Sequence, residues 1–84
     1  MDHRVLAAKG ATRDFKRLPP ETKARVGATG QNLADDPRRA AQKLAAGEGY
    51  RVRVGDYRIV FRVDDEAHEV LVTRVKHRRD VYRR

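Results

Sequence analysis

The sequence contains no cysteine, which excludes disulfide bonds, cysteine metal sites and thiol catalysis. It also lacks long apolar runs, because uninterrupted apolar stretches reach only a few residues, whereas a membrane-spanning helix needs about 20. The N-terminus shows no apolar signal region, so we expect a cytoplasmic protein with no membrane partner. A length of 84 residues predicts a single domain over residues 1–84, since chains usually devote roughly 100–200 residues to each domain.

Acidic residues are scarce relative to basic ones, 12 against 20, which gives a net charge of +8. An excess of this size favours a polyanion or an acidic protein as the partner. The excess is also localised, because residues 51–62 and 74–84 together carry all of it and the rest of the chain is neutral overall. Apolar residues, 39% of the chain, form periodic runs between turn signals, which predicts a folded protein rather than a disordered one.

Two amphipathic helices are predicted in the N-terminal half. Apolar residues recur at i, i+4 and i+7 within Ala7–Leu18, and Pro19-Pro20 ends that segment. A second helix is predicted over Pro20–Ala34, although Gly27 and Gly30 each cost about 0.5–1 kcal/mol in a helix interior. These two glycines therefore either count against the helix or mark close packing against a neighbouring helix or sheet.

In the C-terminal half, apolar and polar residues alternate with the period of two that is typical of strands. Three strands are predicted at Tyr50–Val54, Tyr57–Val63 and His68–Val75, the first two joined by a Gly55-Asp56 loop of the kind that favours a type II′ turn. We interpret His3–Leu6 as a short edge strand.

The segment between the two halves, Arg38–Gly49, is interpreted as a connector with one helical turn at Ala40–Leu44. The predicted fold is therefore α+β: two N-terminal helices pack on a small, mainly antiparallel sheet made of the N-terminal strand and a three-strand C-terminal meander.

The two-residue loop fixes the register of the first hairpin. The core face then pairs Val54 with Tyr57, Val52 with Ile59 and Tyr50 with Phe61. On the other face, Arg53 lies opposite Arg58 and Arg51 lies opposite Val60.

If residues 64–67 form the next loop, four more pairs follow: Phe61 with Val70, Ile59 with Val72, Arg62 with Glu69, and Arg58 with Thr73. Val75 then lies beside Asp56, so the following segment emerges next to Arg53 and Arg58. No carboxylate is predicted opposite Arg51, Arg53 or Arg58. Like charges opposite each other destabilise a sheet by a few tenths of a kcal/mol or more. A bound anion explains the arrangement most simply, and an ordinary solvated sheet face is the alternative.

The residue types in this cluster suit single-stranded RNA. Guanidinium groups bind phosphates in a bidentate manner, and a tyrosine ring can stack on an unpaired base. RNA cleavage requires a base for the 2′-hydroxyl, charge stabilisation of a phosphorane and an acid for the leaving oxygen. Arg58 and Arg78 can stabilise the phosphorane, and His77 is suited to acid–base chemistry near neutral pH. Alternatively, His77 is an ordinary surface histidine and Tyr82 is a packing residue. The sequence predicts no metal site and no cofactor.

Four segments resemble the RelE toxin family of bacterial toxin–antitoxin systems: residues 17–19, 36–37, 50–61 and 77–82. The resemblance implies a compact α+β toxin that enters the ribosomal A site and cleaves mRNA without a metal. It also implies a cognate RelB-like antitoxin that neutralises the toxin through an acidic or amphipathic segment. The free toxin is expected to be a monomer.

The resemblance also implies roles for individual residues. Arg58 matches the main catalytic arginine, Arg78 a second one, and Tyr82 the tyrosine that stacks on the substrate base. Arg51 and Arg53 stand where some members have lysines, and since arginine is a poor base we expect them to act electrostatically. The general base is then either His77 or Tyr82. The residues expected to bind RNA phosphates are Arg51, Arg53, Lys76, Arg79 and Arg83.

Two competing functions share this fold or this charge pattern. ParE-like toxins resemble the same fold but inhibit DNA gyrase by binding, without nuclease activity, and they generally lack the arginine–tyrosine set present here. An inactive, RNA-binding homologue is the other alternative.

Overall fold

The computed structural model describes residues 3–39, 41–44 and 49–79, and it confirms the α+β prediction. The elements in chain order are β1 (Arg4–Ala7), α1 (Lys9–Lys16), α2 (Pro20–Asn32), β2 (Gln42–Lys43), β3 (Tyr50–Val54), β4 (Tyr57–Asp64) and β5 (Glu69–His77). The strands form one sheet in the order β1-β5-β4-β3-β2. The β1–β5 pair is parallel and the other pairs are antiparallel, so the predicted edge strand and meander are both present.

Both helices are slightly shorter than predicted. Helix α1 begins at Lys9 because Ala7 is paired in β1, opposite Val72. Helix α2 begins at Pro20, where the missing N–H is tolerated in the first turn. The expectation that its glycines mark close packing is not met. A Cβ at Gly30 would have nothing within 4 Å, and one at Gly27 would make ordinary contact, 3.9 Å, with the Phe15 ring.

The helical turn predicted at Ala40–Leu44 is wrong for the described residues 41–44. Gln42–Lys43 instead forms β2, which pairs with the outer edge of β3 and places Gln42 opposite Arg51. The Leu44 N–H also donates to the Gly49 carbonyl at 3.1 Å, next to the Lys43–Tyr50 pair. Two paired residues are too few to produce a recognisable alternation in sequence, and the open edge of β3 supplies the hydrogen bonds.

The first predicted hairpin register is correct at every pair, including Arg53 opposite Arg58. Gly55 adopts φ +58°, and Asp56 is not among the described residues with positive φ. Only the first loop residue is therefore left-handed, which agrees with the predicted type II′ turn.

The second predicted hairpin register is wrong because its loop comprises residues 65–68 instead of 64–67. Asp64 is still paired, opposite Glu69, and its carboxylate accepts the Ala67 N–H at 3.1 Å. His68 ends the loop with φ +54°. Leu71, not Glu69, is therefore opposite Arg62, and Glu69 forms an ion pair with Arg4 at 3.3 Å.

A β-bulge changes the register a second time. Phe61 is opposite Val72 and Val60 is opposite Arg74, so Thr73 is an extra residue in β5. Beyond the bulge, Ile59 faces Val75 instead of Val72, and Arg58 faces Lys76 instead of Thr73. The bulge thus decides which side chain of β5 lies beside Arg58.

The core lies between the helices and one face of the sheet. Its most deeply buried side chains are Phe61, Ile59 and Val70, joined by Val26 of α2 and Ala11 of α1. We call the opposite side of the sheet the open face; in β4 it carries Arg58, Val60 and Arg62, which alternate with the core residues. Neither helix among the described residues has the length and apolar character that crossing a membrane requires.

Candidate functional site

Three basic residues form a row across the open face at the end of the sheet near the Gly55–Asp56 turn. Arg53 in β3, Arg58 in β4 and Lys76 in β5 are consecutive cross-strand neighbours, and we call them the cationic row. Side chains opposite each other in antiparallel strands have Cβ atoms about 4.5–5.5 Å apart. Arg58, in the middle, is only 9% exposed, whereas Arg53 is exposed and Lys76 is half-buried. The row therefore places two further positive charges beside the partly desolvated guanidinium of Arg58.

Arg51 extends the basic surface along β3, two residues from Arg53 on the same face. Its guanidinium Nη2 lies 3.4 Å from Gln42 Oε1, so it makes a weak hydrogen bond with β2. Its opposite neighbour in β4 is Val60. Within the described residues, the register thus places no carboxylate opposite Arg51, Arg53 or Arg58, as the sequence predicted.

The segment after β5 leaves the sheet at the same end. The Arg78 N–H donates to the Asp56 carbonyl at 2.7 Å, which fixes Arg78 beside the hairpin turn. The sequence placed Val75 at that position, and that register was wrong because of the two shifts in β5. Arg78 and Arg79 are both exposed. Tyr82 and Arg83 lie outside the described residues.

His77 lies on the other face of the sheet from the cationic row. It is opposite Tyr57, and the two rings meet edge to face with centroids 5.1 Å apart at 88°. Its Nδ1 accepts the Arg79 backbone N–H at 3.2 Å. A backbone N–H can only donate, so the neutral imidazole carries its proton on Nε2. The structure therefore groups His77 with Tyr57 and Arg79, apart from Arg58.

A second cluster of polar side chains lies at the opposite end of the sheet, and its hydrogen bonds hold two segments of the chain together. Arg38 donates to both carboxylate oxygens of Asp65, at 2.9 and 3.2 Å, and to the Tyr50 hydroxyl at 2.9 Å. The Arg38 hydrogen bonds hold the pKa of Asp65 below its usual range. This fork fastens the segment after α2 to the β4–β5 loop.

Asp14 of α1 was not singled out in the sequence, and it makes a comparable fork with Arg74 beside the bulge. Its carboxylate accepts Arg74 Nε at 2.8 Å and Nη2 at 3.1 Å, and also the Val75 N–H at 2.9 Å. The Arg74 hydrogen bond is the main cause of the lowered pKa of Asp14. A signal was available, since a carboxylate in the last turn of a helix opposes the helix dipole and calls for a tertiary partner.

Comparison with known proteins identifies the family. The family model described as the ParE toxin of type II toxin–antitoxin systems matches residues 5–82. Toxin RelG from Mycobacterium tuberculosis is 39% identical over 89 residues, and the alignment covers all of both chains. The chain belongs to the RelE/ParE toxin superfamily.

Solved structures of RelE/ParE toxins share the fold. The toxin–antitoxin complex RelBE2 from M. tuberculosis contains a chain with TM-score 0.86 and 31% identity, with 92% of each chain covered. The archaeal RelE–RelB complex from Pyrococcus horikoshii matches with TM-score 0.81 and 26% identity, covering 93% of this chain and 97% of the other. The protein is thus a toxin of a type II toxin–antitoxin system, and the resemblance stated from the sequence is confirmed.

Proposed function

We propose that this RelE/ParE toxin is a ribosome-dependent, metal-independent endoribonuclease that cleaves mRNA in the A site. The cationic row carries the proposal. Hydrogen-bond donors and charges aimed at a developing phosphorane are often the largest single contribution to such a reaction. A guanidinium that is mostly shielded from water, flanked by two further cations, meets that requirement.

Arg58 is proposed as the catalytic residue that contacts the scissile phosphate. Its low exposure reduces solvent screening, so its interaction with a phosphate is stronger than that of a surface arginine. Arg53, Lys76 and Arg51 are proposed to bind the same or the adjacent phosphate. Arg78 is proposed as the second arginine at the reacting phosphate, with Arg79 and Arg83 on flanking phosphates.

The acid and the base are proposed from the remaining two candidates. Tyr82 is proposed to stack on the substrate base and is the favoured general base, because the lone pair of His77 Nδ1 is already used by Arg79. To act as the acid, His77 must be protonated on both ring nitrogens; it would then deliver the Nε2 proton and return to the neutral ring, and Nδ1 would give up the hydrogen bond from the Arg79 N–H while it is protonated. The substitution His77→Gln separates the roles: a flattened pH–rate profile near neutrality would support a proton-transfer role, and an unchanged profile would remove His77 from the chemistry.

The proposed inhibitor is a RelB-like antitoxin whose acidic or amphipathic segment covers the cationic row. Charge complementarity supports this proposal, since such a segment would neutralise the same cations that RNA needs. The solved relatives include complexes of RelE with RelB. The toxin free of antitoxin is proposed to be a monomer, and its partners are then the ribosome and mRNA.

The deciding experiment adds the purified chain to a translating extract and maps mRNA 5′ ends by primer extension. The wild-type toxin should produce cuts within codons at the ribosomal A site. Arg58→Ala should lower the cleavage rate by about 10²–10³, the effect of losing one preorganised donor. The matched control is Arg39→Ala, which removes an exposed arginine in the turn after α2 and should cleave normally. Full cleavage by Arg58→Ala would refute the assignment.

A ParE-like activity is the second candidate, favoured by the description of the family model that matches the chain. This function predicts inhibition of gyrase supercoiling in a purified assay without any RNA cleavage. Inhibited supercoiling together with intact mRNA would replace the nuclease proposal.

A further inference from the structure

The β-bulge in β5 determines the composition of the cationic row. Before the bulge, Phe61 is opposite Val72; with no extra residue, the same register would continue to place Val75 opposite Arg58. Because neighbouring residues in a strand point to opposite faces, Lys76 would then point toward the core side. The extra residue, Thr73, restores Lys76 to the open face beside Arg58.

Helix α1 contacts this bulge through two residues one turn apart. Gly10 and Asp14 are spaced i and i+4, so they share one face of the helix. A Cβ at Gly10 would lie 3.0 Å from Arg74 Cδ and 3.4 Å from the Thr73 carbonyl oxygen. The absence of a side chain at Gly10 therefore allows the helix to approach the bulge closely.

Asp14 binds the residues that follow the bulge. Its carboxylate is 14% exposed and accepts two hydrogen bonds from the Arg74 guanidinium and one from the Val75 backbone N–H. From the other side, the Thr73 hydroxyl donates to the Val60 carbonyl at 3.2 Å. The bulge is thus held by α1 on one side and by β4 on the other.

Local helix energetics do not account for Asp14. It stands in the last turn of an eight-residue helix, where the dipole disfavours negative charge. Hydrogen bonds to a charged group are individually stronger than the effect of the helix dipole, so the two from Arg74 and the one from Val75 together outweigh it. The position of the carboxylate is therefore explained by the bulge that it binds.

We propose that Gly10 and Asp14 are positioning residues that hold the Thr73 bulge and thereby keep Lys76 beside Arg58 in the cationic row. The proposal rests on the proposed nuclease function for its catalytic consequence. The effect of Gly10 and Asp14 on the register of β5 can be tested without measuring mRNA cleavage.

The structural test uses paired cysteines, since the chain has none of its own. Residues directly opposite in antiparallel strands have Cα atoms about 4.5–5.5 Å apart, within the range that a disulfide spans. The pair Arg58→Cys/Lys76→Cys reports the bulged register, and the pair Arg58→Cys/Val75→Cys reports the register without the bulge. Adding Asp14→Ala should slow oxidation of the first pair several-fold and accelerate oxidation of the second.

The functional test measures cleavage by the Asp14→Ala toxin that retains both Arg58 and Lys76. A misplacement of about 1 Å can cost up to about 10²-fold in rate, so kcat should fall about 10- to 100-fold with little change in KM. Lys76→Ala should then have less effect in the Asp14→Ala background than in the wild type, because the two changes act on one contact.

The matched control is Asp65→Ala, which breaks the other arginine–carboxylate fork at the far end of the sheet. It should lower thermal stability but leave the cysteine oxidation rates and kcat unchanged. If Asp14→Ala does not fold, Asp14→Asn, which keeps an oxygen acceptor for Val75, should give a smaller change in the same direction.

Unchanged oxidation rates in folded Asp14→Ala or Asp14→Asn, or equal slowing by Asp65→Ala, would overturn the positioning role. If the wild type does not cleave mRNA but Asp14→Ala still alters the oxidation rates, the nuclease proposal fails and the positioning role stands.

Discussion

The cationic row should store like-charge repulsion in the free protein, and Arg53→Gln should release part of it. Arg53 is an exposed member of the row, with Arg58 directly opposite. Cross-strand pairs contribute roughly 0.2–1 kcal/mol, and like charges are destabilising. At low ionic strength, Arg53→Gln should therefore raise the free energy of unfolding by about 0.2–1 kcal/mol. For a domain of this size that corresponds to roughly 1–8 °C in Tm.

Urea denaturation at 10 mM and 1 M NaCl measures this effect. The Debye length falls from about 30 Å to about 3 Å between these conditions, so the gain should largely disappear at high salt. Since the whole chain carries +8, removal of any arginine relieves some general repulsion, and Arg39→Gln controls for that contribution. A stability gain no larger than that of Arg39→Gln, or one that persists at 1 M NaCl, would refute the repulsion argument.

Three further predictions concern single positions. Gly30→Ala should stabilise the protein by about 0.5–1 kcal/mol in urea denaturation, because the helix propensity improves and a new Cβ meets open space; a loss of stability would show that the site is packed. Asp14 has a pKa below its ordinary value of 3.8 in the folded protein, so its contribution is present above about pH 4 and is lost as pH falls through the folded pKa. Acid titration of Asp14→Asn should lack that loss, and an identical acid profile would contradict it. Arg58→Lys keeps the charge but loses the planar fork, so primer extension should show cleavage well below wild type, and full activity would mean that charge alone suffices.

The first hairpin was predictable because all its determinants are local. A Gly-Asp loop of two residues selects one turn type, and alternation on both sides then sets every pair from Tyr50 to Phe61. The second hairpin was not predictable, because its loop depends on the Asp64 cap and on His68 entering the left-handed region. The bulge depends further on Asp14, 60 residues away from Arg74 in sequence.

The candidate site divides in the same way. Arg53 beside Arg58 followed from the hairpin, whereas Lys76 beside Arg58 required knowledge of the bulge. The sequence groups His77 with the arginines because it stands between Lys76 and Arg78 in a basic segment. Strand alternation places its ring against Tyr57 instead. The position of His77 in the sequence thus predicted which end of the sheet it occupies, but it could not predict on which face its ring lies.

The like-charge repulsion within the cationic row also explains why the row lies beside a deeply buried part of β4. Arg58 immediately precedes one of the most deeply buried parts of the core, since Ile59 and Phe61 are 1% and 0% exposed. A strand anchored in this way can tolerate repulsion of a few tenths of a kcal/mol per pair that a frayed edge would not tolerate. An anionic ligand that binds only the folded row would relieve the repulsion and stabilise the protein by RT ln(1 + [L]/Kd). Because the proposed RNA substrate and the proposed antitoxin segment would each exploit that relief at the same cations, their binding to the row should be mutually exclusive.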